Sequence, residues 1–250
     1  RFPPADQEDT AATALEVASV QLPCLLIVEH ALAQLLISWG VQPTALLGHS
    51  VGENVAACLA GTMTFADCLG LVVLRGRLMD RTQGGMLAVP LTADELSPLL
   101  NELGLDLGVL NAPDLCVASG TDEALGALQA RLAQQGVEAQ RVRIRIAAHS
   151  RLLDAVLDEF RTYLRSIPLA PPQTPWLSNL TGTFITNEQA TDPEYWVQQL
   201  RNTVQFASCI ASATARWPAA VFVEVGPGKT LSSLARMHPG FTGTHAAVHT

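Results

Sequence analysis

Lysine is almost missing from this sequence: Lys229 is the only one, and every other basic residue is arginine. Charged residues make up 15% of the 250 positions and aromatics 5%, and the acids outnumber the bases to leave a net charge of −8. So acidic a chain has no general grip on nucleic acid or on an anionic membrane surface, since both need clustered cations. Cysteines are few and unpatterned. The five (Cys24, Cys58, Cys68, Cys116 and Cys209) are an odd number without a CxxC spacing, which supports neither a disulfide framework nor a zinc site. No cationic region followed by an apolar core marks a signal peptide. The longest greasy stretch, Cys24 to Trp39, is broken by Glu29, His30 and Gln34 and reads as too short and too polar for a membrane span. Internal repeats and low-complexity tracts are not found. What is abundant is apolar: 48% of the residues are hydrophobic, which excludes disorder as a global description. The length fits one large domain or a main domain with a small insert, in a reduced, cytoplasmic, soluble chain.

The order of elements follows from periodicity and punctuation. Arg1 to Thr10, polar and proline-containing, reads as an extended lead-in. A helix is expected from Leu22, with Pro23 in its first turn and Gly40 as its stop. Ala45-Leu46-Leu47 is a short apolar run suited to a buried strand, and Val51–Leu59 is helical directly after it. Phe65 to Asp80 follows as a helix with Thr64 as cap. From 85 to 146 the pattern becomes strand–helix–strand–strand–helix–strand, the order of a ferredoxin-like unit. Its last strand is read over Val137 to Ile146, where Val142, Ile144 and Ile146 alternate with Arg141, Arg143 and Arg145. The three arginines fit a solvated strand face; the sharper alternative is a docking patch. A helix is expected from Ser150 to about Ile167, then a strand and turn at Trp176 to Thr183. Helices follow over Pro193–Leu200 and Gln205–Trp217. Ala219 to Val225 suits a buried parallel strand, Lys229 to Met237 a last short helix, and the tail from His238 is weakly structured. The fold class is therefore α/β: a mostly parallel sheet in a core of residues 1–84 and 147–250, with a ferredoxin-like α+β unit inserted at 85–146.

Gly48-His49-Ser50-Val51-Gly52 is a GxSxG motif between a short strand and a helix, the context that motif needs. Small residues permit a tight turn that holds the serine hydroxyl out. The helix that follows aims its N-terminus at the same spot, where the Val51 amide is free to donate to an oxyanion. A nucleophilic serine needs a base. Of the six histidines, His30 reads as a packed helix residue, and His49 diverges from Ser50 along an extended segment. His238, His245 and His249 lie in the tail. His149 follows a strand and precedes a helix, where α/β folds place catalytic groups. Position alone favours it without excluding the others.

With these residues in hand, the chain resembles the acyltransferase domains of modular polyketide synthases and the related malonyl-CoA:acyl-carrier-protein transacylases. Gly48-His49-Ser50-Val51-Gly52-Glu53 is similar to the family's serine motif. Ala148-His149-Ser150 resembles the close of its second signature, and Gly226-Pro227-Gly228-Lys229 its GPG turn. Asn202-Thr203-Val204-Gln205-Phe206 and Ser178-Asn179-Leu180-Thr181-Gly182 match two further stretches, all in the family's order from about residue 20 to 237. The resemblance implies a Ser50 nucleophile and a His149 base without a carboxylate third member, the imidazole being oriented by a carbonyl at Gln199. It implies a ping-pong transfer of an acyl group from coenzyme A to Ser50, then to the phosphopantetheine thiol of an acyl carrier protein. Nothing need be bound as a resident cofactor or metal. The partners implied are the carrier protein and neighbouring ketosynthase and other synthase domains, with no nucleic acid and no membrane.

The same resemblance assigns Arg75 to the free carboxylate of a malonyl group, which an arginine fork holds bidentately. His49, Asn111 (within Asn111-Ala112-Pro113) and Ala148 are expected to line the substrate site. In Ile146-Ala147-Ala148-His149 neither the pattern that accompanies malonyl nor that of methylmalonyl appears. The small Ala148 admits an α-methyl, Val51 leans the other way, and methylmalonyl is slightly favoured. The rival from another class is an α/β-hydrolase esterase or thioesterase, which shares the serine turn but wants an HGGG-type loop and an acid before a late histidine. A docking module without catalysis is a further rival, set against by the presence of Ser50, His149 and Arg75 together. Family members begin with a strand and a loop that supplies a second oxyanion donor, and neither is found before Arg1, so the chain is expected to be the larger C-terminal part of such a domain.

Overall fold

The computed structural model of the chain describes Pro4 and residues 7–250. The expected lead-in lies partly outside these residues. Where it is described, Glu8–Ala14 forms a helix, α1, so the last residues of the expected extended lead-in, Glu8 to Thr10, are helical. Its first turn carries Glu8 and Asp9, which suit a helix N-terminus.

The next helix, α2, spans Ala18–Ser38 and starts four residues before the expected Leu22, so Pro23 lies inside it. A distant side chain makes this start possible. Asp80 accepts from the backbone N–H of Ala18 at 3.0 Å and of Ser19 at 3.2 Å, capping the helix from outside. Asp80 ends helix α4 (Phe65–Asp80), which packs along α2. Gly76 lets the two backbones meet, since a Cβ there would lie 2.6 Å from Ser19 Cα. At 21 residues, with a mean hydropathy of 1.7 over an 18-residue window, α2 is long and apolar enough by length and composition to cross a membrane, which corrects the reading of a shorter, more polar stretch. In the fold, Ala18, Leu26 and Ala33 turn one stripe inward, while Val20, Ile27, Val28 and Leu35 are exposed.

Strand β1 (Leu46–Leu47) leads into α3 (Val51–Leu59) and pairs in parallel with β6 (Trp176–Leu177). A second parallel pair joins β7 (Val221–Glu224) to β8 (Ala246–His249). These two ladders are not hydrogen-bonded to each other, so the expected single, mostly parallel sheet is replaced among the described residues by two short ones. β1 is half-buried and ends at once in the Gly48 turn, which limits its ladder to two residues. β7 is parallel but not buried, with Val221 63% exposed. The tail is more ordered than its composition suggests, because β8 finds a backbone partner in β7.

Residues 85–141 build the largest sheet, and it is antiparallel. Strands β2 (Gly85–Val89), β3 (Asp106–Ala112), β4 (Leu115–Gly120) and β5 (Gln140–Arg141) lie in the order β3-β4-β2-β5. Helices α5 (Ala93–Leu103) and α6 (Asp122–Gln134) connect them, each started by a threonine, Thr92 or Thr121, whose side chain accepts from the first turn. Leu87, Leu96, Leu100, Leu125, Leu128 and Leu132 belong to a cluster of buried residues distinct from that of the main core. The last strand is far shorter than expected. β5 pairs only with Leu87 and Ala88, and after the Val142 N–H donates to Met86 O at 3.0 Å the chain leaves the sheet.

A 3-10 turn (Arg151–Val156) and α7 (Leu157–Leu164) stand where one longer helix was expected. Helices α8 (Asn187–Thr191), α9 (Pro193–Arg201), α10 (Phe206–Arg216) and α11 (Thr230–Met237) complete the chain.

Candidate active site

Ser50 lies between β1 and α3 with φ 55° and ψ −110°, a left-handed conformation that a non-glycine residue holds only at a cost of about 1–3 kcal/mol. Gly48 makes the turn possible: a Cβ there would lie 2.1 Å from the Glu53 backbone nitrogen. Asn179 then locks it. Its Oδ1 accepts from Ser50 N at 2.7 Å, and its Nδ2 donates to Gly48 O at 2.9 Å. Asn179 stands two residues beyond β6, so the β1–β6 pairing is what carries this side chain under the turn.

The second reactive group comes from far along the chain. His149 Nε2 lies 2.7 Å from Ser50 Oγ, and its Nδ1 lies 3.0 Å from the carbonyl of Asn202 just after α9. A proton on Nδ1 directed at that carbonyl leaves Nε2 free to accept from the serine. His149 is 2% exposed. Burial, then the charge of Arg75, then His49, drive its pKa down from 6.5 to about 3, while backbone acceptors at Asn202 and Gln199 oppose the shift. The imidazole is therefore neutral at any ordinary pH, the state a general base requires.

Arg75 reaches the same point from α4. Its Nη2 donates to Ser50 Oγ at 2.8 Å, and its Nη1 to Asn54 Oδ1 at 2.9 Å and Gln199 Oε1 at 3.3 Å. The side chain is 1% exposed, yet all three partners are neutral oxygens and Nε has none. Burial lowers its pKa to about 10, with the Glu53 carboxylate pulling the other way. Glu53 does not touch it. That carboxylate accepts from Trp176 Nε1 at 3.2 Å, Asn179 N at 3.1 Å, Gln199 Nε2 at 3.2 Å and the Tyr195 hydroxyl. Burial still holds it above the usual carboxylate range. Gln199 bridges the two charges and also donates to Ser50 O at 2.9 Å. A buried guanidinium beside a nucleophile and without a carboxylate of its own is poised for an anionic ligand. Among the described residues no group of three or more His, Cys, Asp or Glu could hold a metal ion.

A serine, a neutral imidazole and an unpaired guanidinium meeting at one oxygen suit transfer of an acyl group that carries its own negative charge. The acyl transferase domain family matches residues 7–237. The chain belongs to that family. A phenolphthiocerol/phthiocerol polyketide synthase component of Mycobacterium tuberculosis is 38% identical over 241 residues, 96% of this chain and 16% of that protein. The polyketide synthase GfsB of Streptomyces halstedii is 37% identical over 217 residues, 85% of this chain and 4% of that protein. The chain thus spans a small part of these curated relatives, both of them polyketide synthases. Among solved structures, the acyl transferase domain of SpnD in complex with 2-(pent-4-yn-1-yl)malonyl is 41% identical with a TM-score of 0.88, covering 93% of this chain and 56% of that one. FabD from Acinetobacter baumannii is 26% identical with a TM-score of 0.88, covering 96% and 78%. The domain is therefore an acyltransferase of the polyketide synthase and FabD type with an α/β fold.

Within the domain the structure brings Ser50, His149 and Arg75 together, with the Gln199 side chain beside them on Arg75 and the Ser50 carbonyl. Val51 opens α3, so its N–H belongs to the first turn that has no intrahelical acceptor. His49 turns away from Ser50: its Nε2 lies 2.8 Å from Asn111 Oδ1 and its ring packs on Phe206. Ala148 is 6% exposed beside the imidazole. The carbonyl 3.0 Å from His149 Nδ1 is that of Asn202, with the Gln199 carbonyl a second acceptor, and the Gln199 side chain has the further bridging position described above. Arg141 is held by Asp122 at 2.9 Å, while Arg143 and Arg145 are exposed, as a solvated face requires. Sequence reading passed over Asn179, Asn54 and the Gln199 amide as groups in contact with the site. The available signal was a polar residue directly after a short apolar strand, and a glutamine on the inward face of α9.

Proposed function

We propose that the domain transfers a malonyl-type extender unit from coenzyme A, through an ester on Ser50, to the phosphopantetheine thiol of an acyl carrier protein. The observation that carries this reading is Arg75: a buried guanidinium 2.8 Å from Ser50 Oγ with no carboxylate partner. A carboxylate at the far end of a short acyl chain would complete the fork and fix where the thioester carbonyl sits. His149 Nε2 takes the hydroxyl proton as Ser50 Oγ attacks that carbonyl. The tetrahedral oxyanion forms beside the Val51 N–H and the N-terminus of α3. Collapse releases coenzyme A as its thiol, which takes the proton from His149. The carrier thiol then attacks the Ser50 ester by the same steps in reverse order.

On this reading coenzyme A and phosphopantetheine are substrates, no resident cofactor takes part, and the work is done in the cytoplasm alongside ketosynthase and other synthase domains. Residues 85–146 act as a ferredoxin-like unit set into the core, a division supported by their separate hydrophobic cluster. Methylmalonyl is favoured slightly over malonyl because the small Ala148 leaves room for a methyl. One methyl is worth only about 1–3 kcal/mol, so both are substrates.

Intact mass after incubation with malonyl- or methylmalonyl-CoA should show the acyl adduct in wild type and none in Ser50→Ala. Holo carrier protein should discharge it by transfer; discharge to free acid alone would support an esterase instead. Arg75→Ala should turn preference toward acetyl or propionyl donors, and unchanged malonyl turnover in that variant would remove Arg75 from the site.

A further inference from the structure

His149 holds a left-handed backbone, φ 56°, without a glycine on either side. Its φ angle relates the Ala148–His149 peptide plane to the rest of the residue, so whatever grips the Ala148 carbonyl sets that angle. The grip comes from the antiparallel sheet: Ser119 Oγ on β4 donates to Ala148 O at 2.6 Å, and Ser119 is fully buried. On the other side of His149, Arg151 N donates to Asp106 Oδ2 on β3 at 2.9 Å, and Arg151 Nε donates to the same oxygen at 3.0 Å. Burial works against the charge on Asp106, but the bonds from Arg151 outweigh it and hold the carboxyl below its usual value. Asp106 and Ser119 are direct cross-strand partners. A single rung of the β3–β4 ladder therefore holds the chain one residue before His149 and two residues after it. β3 also pairs with the segment behind the imidazole: Val204 N donates to Gly108 O, and Leu110 N to Val204 O, both at 2.9 Å.

We infer that the Asp106–Ser119 rung is a positioning device for the general base, holding the His149 turn in the strained conformation that aims Nε2 at Ser50. The inference rests on the reading of His149 as base and Ser50 as nucleophile. Neither Asp106 nor Ser119 touches the reacting atoms, so both act through the backbone. A slackened turn misplaces the base, and sub-ångström geometry of that kind governs rate rather than ground-state binding.

The test measures kcat and KM for acyl transfer in Ser119→Ala, Asp106→Ala and Asp106→Asn, beside Ser50→Ala and Glu102→Gln. Glu102→Gln removes the exposed Glu102–Arg131 ion pair elsewhere in the same unit and should leave activity unchanged. Ser119→Ala and Asp106→Ala should each lower kcat about tenfold, the equivalent of one hydrogen bond, with KM for acyl-CoA unchanged. Asp106→Asn keeps an oxygen acceptor for Arg151 N and should recover most of the loss. Wild-type kcat in the folded alanine variants, or a rise in KM alone, overturns the inference. If Ser119→Ala fails to fold, the Asp106→Ala and Asp106→Asn pair still decides. Loss of transfer in Ser50→Ala combined with wild-type kcat in the rung variants sinks only the rung. Retained transfer in Ser50→Ala sinks the underlying reading.

Discussion

Two residues of the site, Ser50 and His149, share a positive φ, 55° and 56°, yet the two turns are built in opposite ways. The Ser50 turn carries its means within its own sequence. Gly48 provides the space, α3 starts at the next residue, and two amide side chains, Asn179 and Gln199, are borrowed to hold it. The His149 turn runs Ala147-Ala148-His149-Ser150 and has no glycine at all. Apart from Ser150 Oγ, which donates to Ala147 O at 2.7 Å, its conformation is imposed by residues from β3 and β4. A strained turn can thus be written locally, where a motif reveals it, or imposed by tertiary contacts, where no local pattern does.

The largest effect that sharpens this contrast is chemical. His149→Ala should lower acyl transfer by about 10²–10⁴-fold while the Ser50 turn stays intact, since general-base catalysis has that range. Steady-state transfer to carrier protein measures it; a smaller loss would mean that Ser50 draws on another base. Next comes the attempt to break the Ser50 turn from within. Gly48→Ala places a Cβ 2.1 Å from Glu53 N, and we expect a loss of about 3 kcal/mol or more in urea unfolding. A variant near wild-type stability would show that the turn can relax.

The third test concerns pH. On the proposed mechanism protonation of His149 stops the reaction, and its pKa of about 3 lies far below the ordinary 6.5. Transfer should therefore stay flat as pH falls from about 8 to about 5, through the range where a solvated imidazole titrates. A decline centred near 6.5 would show that the base is solvated in the working enzyme. The same depression affects stability. Below 6.5 the unfolded chain takes up a proton that the folded His149 refuses, so stability is lost as pH falls from 6.5 toward 3.

The smallest effect separates the surroundings of the two turns. The carboxyl gripping the His149 turn, Asp106, is held ionised, whereas Glu29, packed against Gly52 and Gly226 behind the Ser50 turn, is pushed up to about 7 by burial and by Glu224. Glu29 binds its proton more tightly in the folded chain than at the ordinary 4.5, so the favourable contribution is complete below 4.5 and lost as pH rises through 7. Glu29→Gln should raise Tm above pH 7, by about 2–4 °C per kcal/mol relieved, and change little near pH 5. An equal gain at both pH values would point to packing rather than charge.

Much of the fold was legible because helix boundaries are local: Thr64, Thr92 and Thr121 cap where a threonine before a helical run should. The start of α2 was not, because Asp80, some sixty residues away, caps it. The strand read over Val137 to Ile146 failed for a related reason. Its alternation records which side chains face inward, but a ladder needs a partner strand, and β2 supplies one only as far as Met86. Ser50 was legible in its own GxSxG motif, whereas His149 and Arg75 were singled out by the resemblance to the acyltransferase family. Asn179 and the Gln199 amide were not, since a buried amide becomes informative only once its partners are known.

By itself, then, the sequence determined the locally capped helices, the order of elements over 85–141 and the tight turn at the serine, all of which depend on neighbours in the chain and on steric rules that act over a few residues. Only the tertiary structure decided that His149 stands 2.7 Å from Ser50, that Arg75 is buried there without a carboxylate, and that the Asp106–Ser119 rung grips the histidine turn. These are relations between segments up to about a hundred residues apart, and their energies come from burial and hydrogen-bond geometry that exist only once the segments have packed.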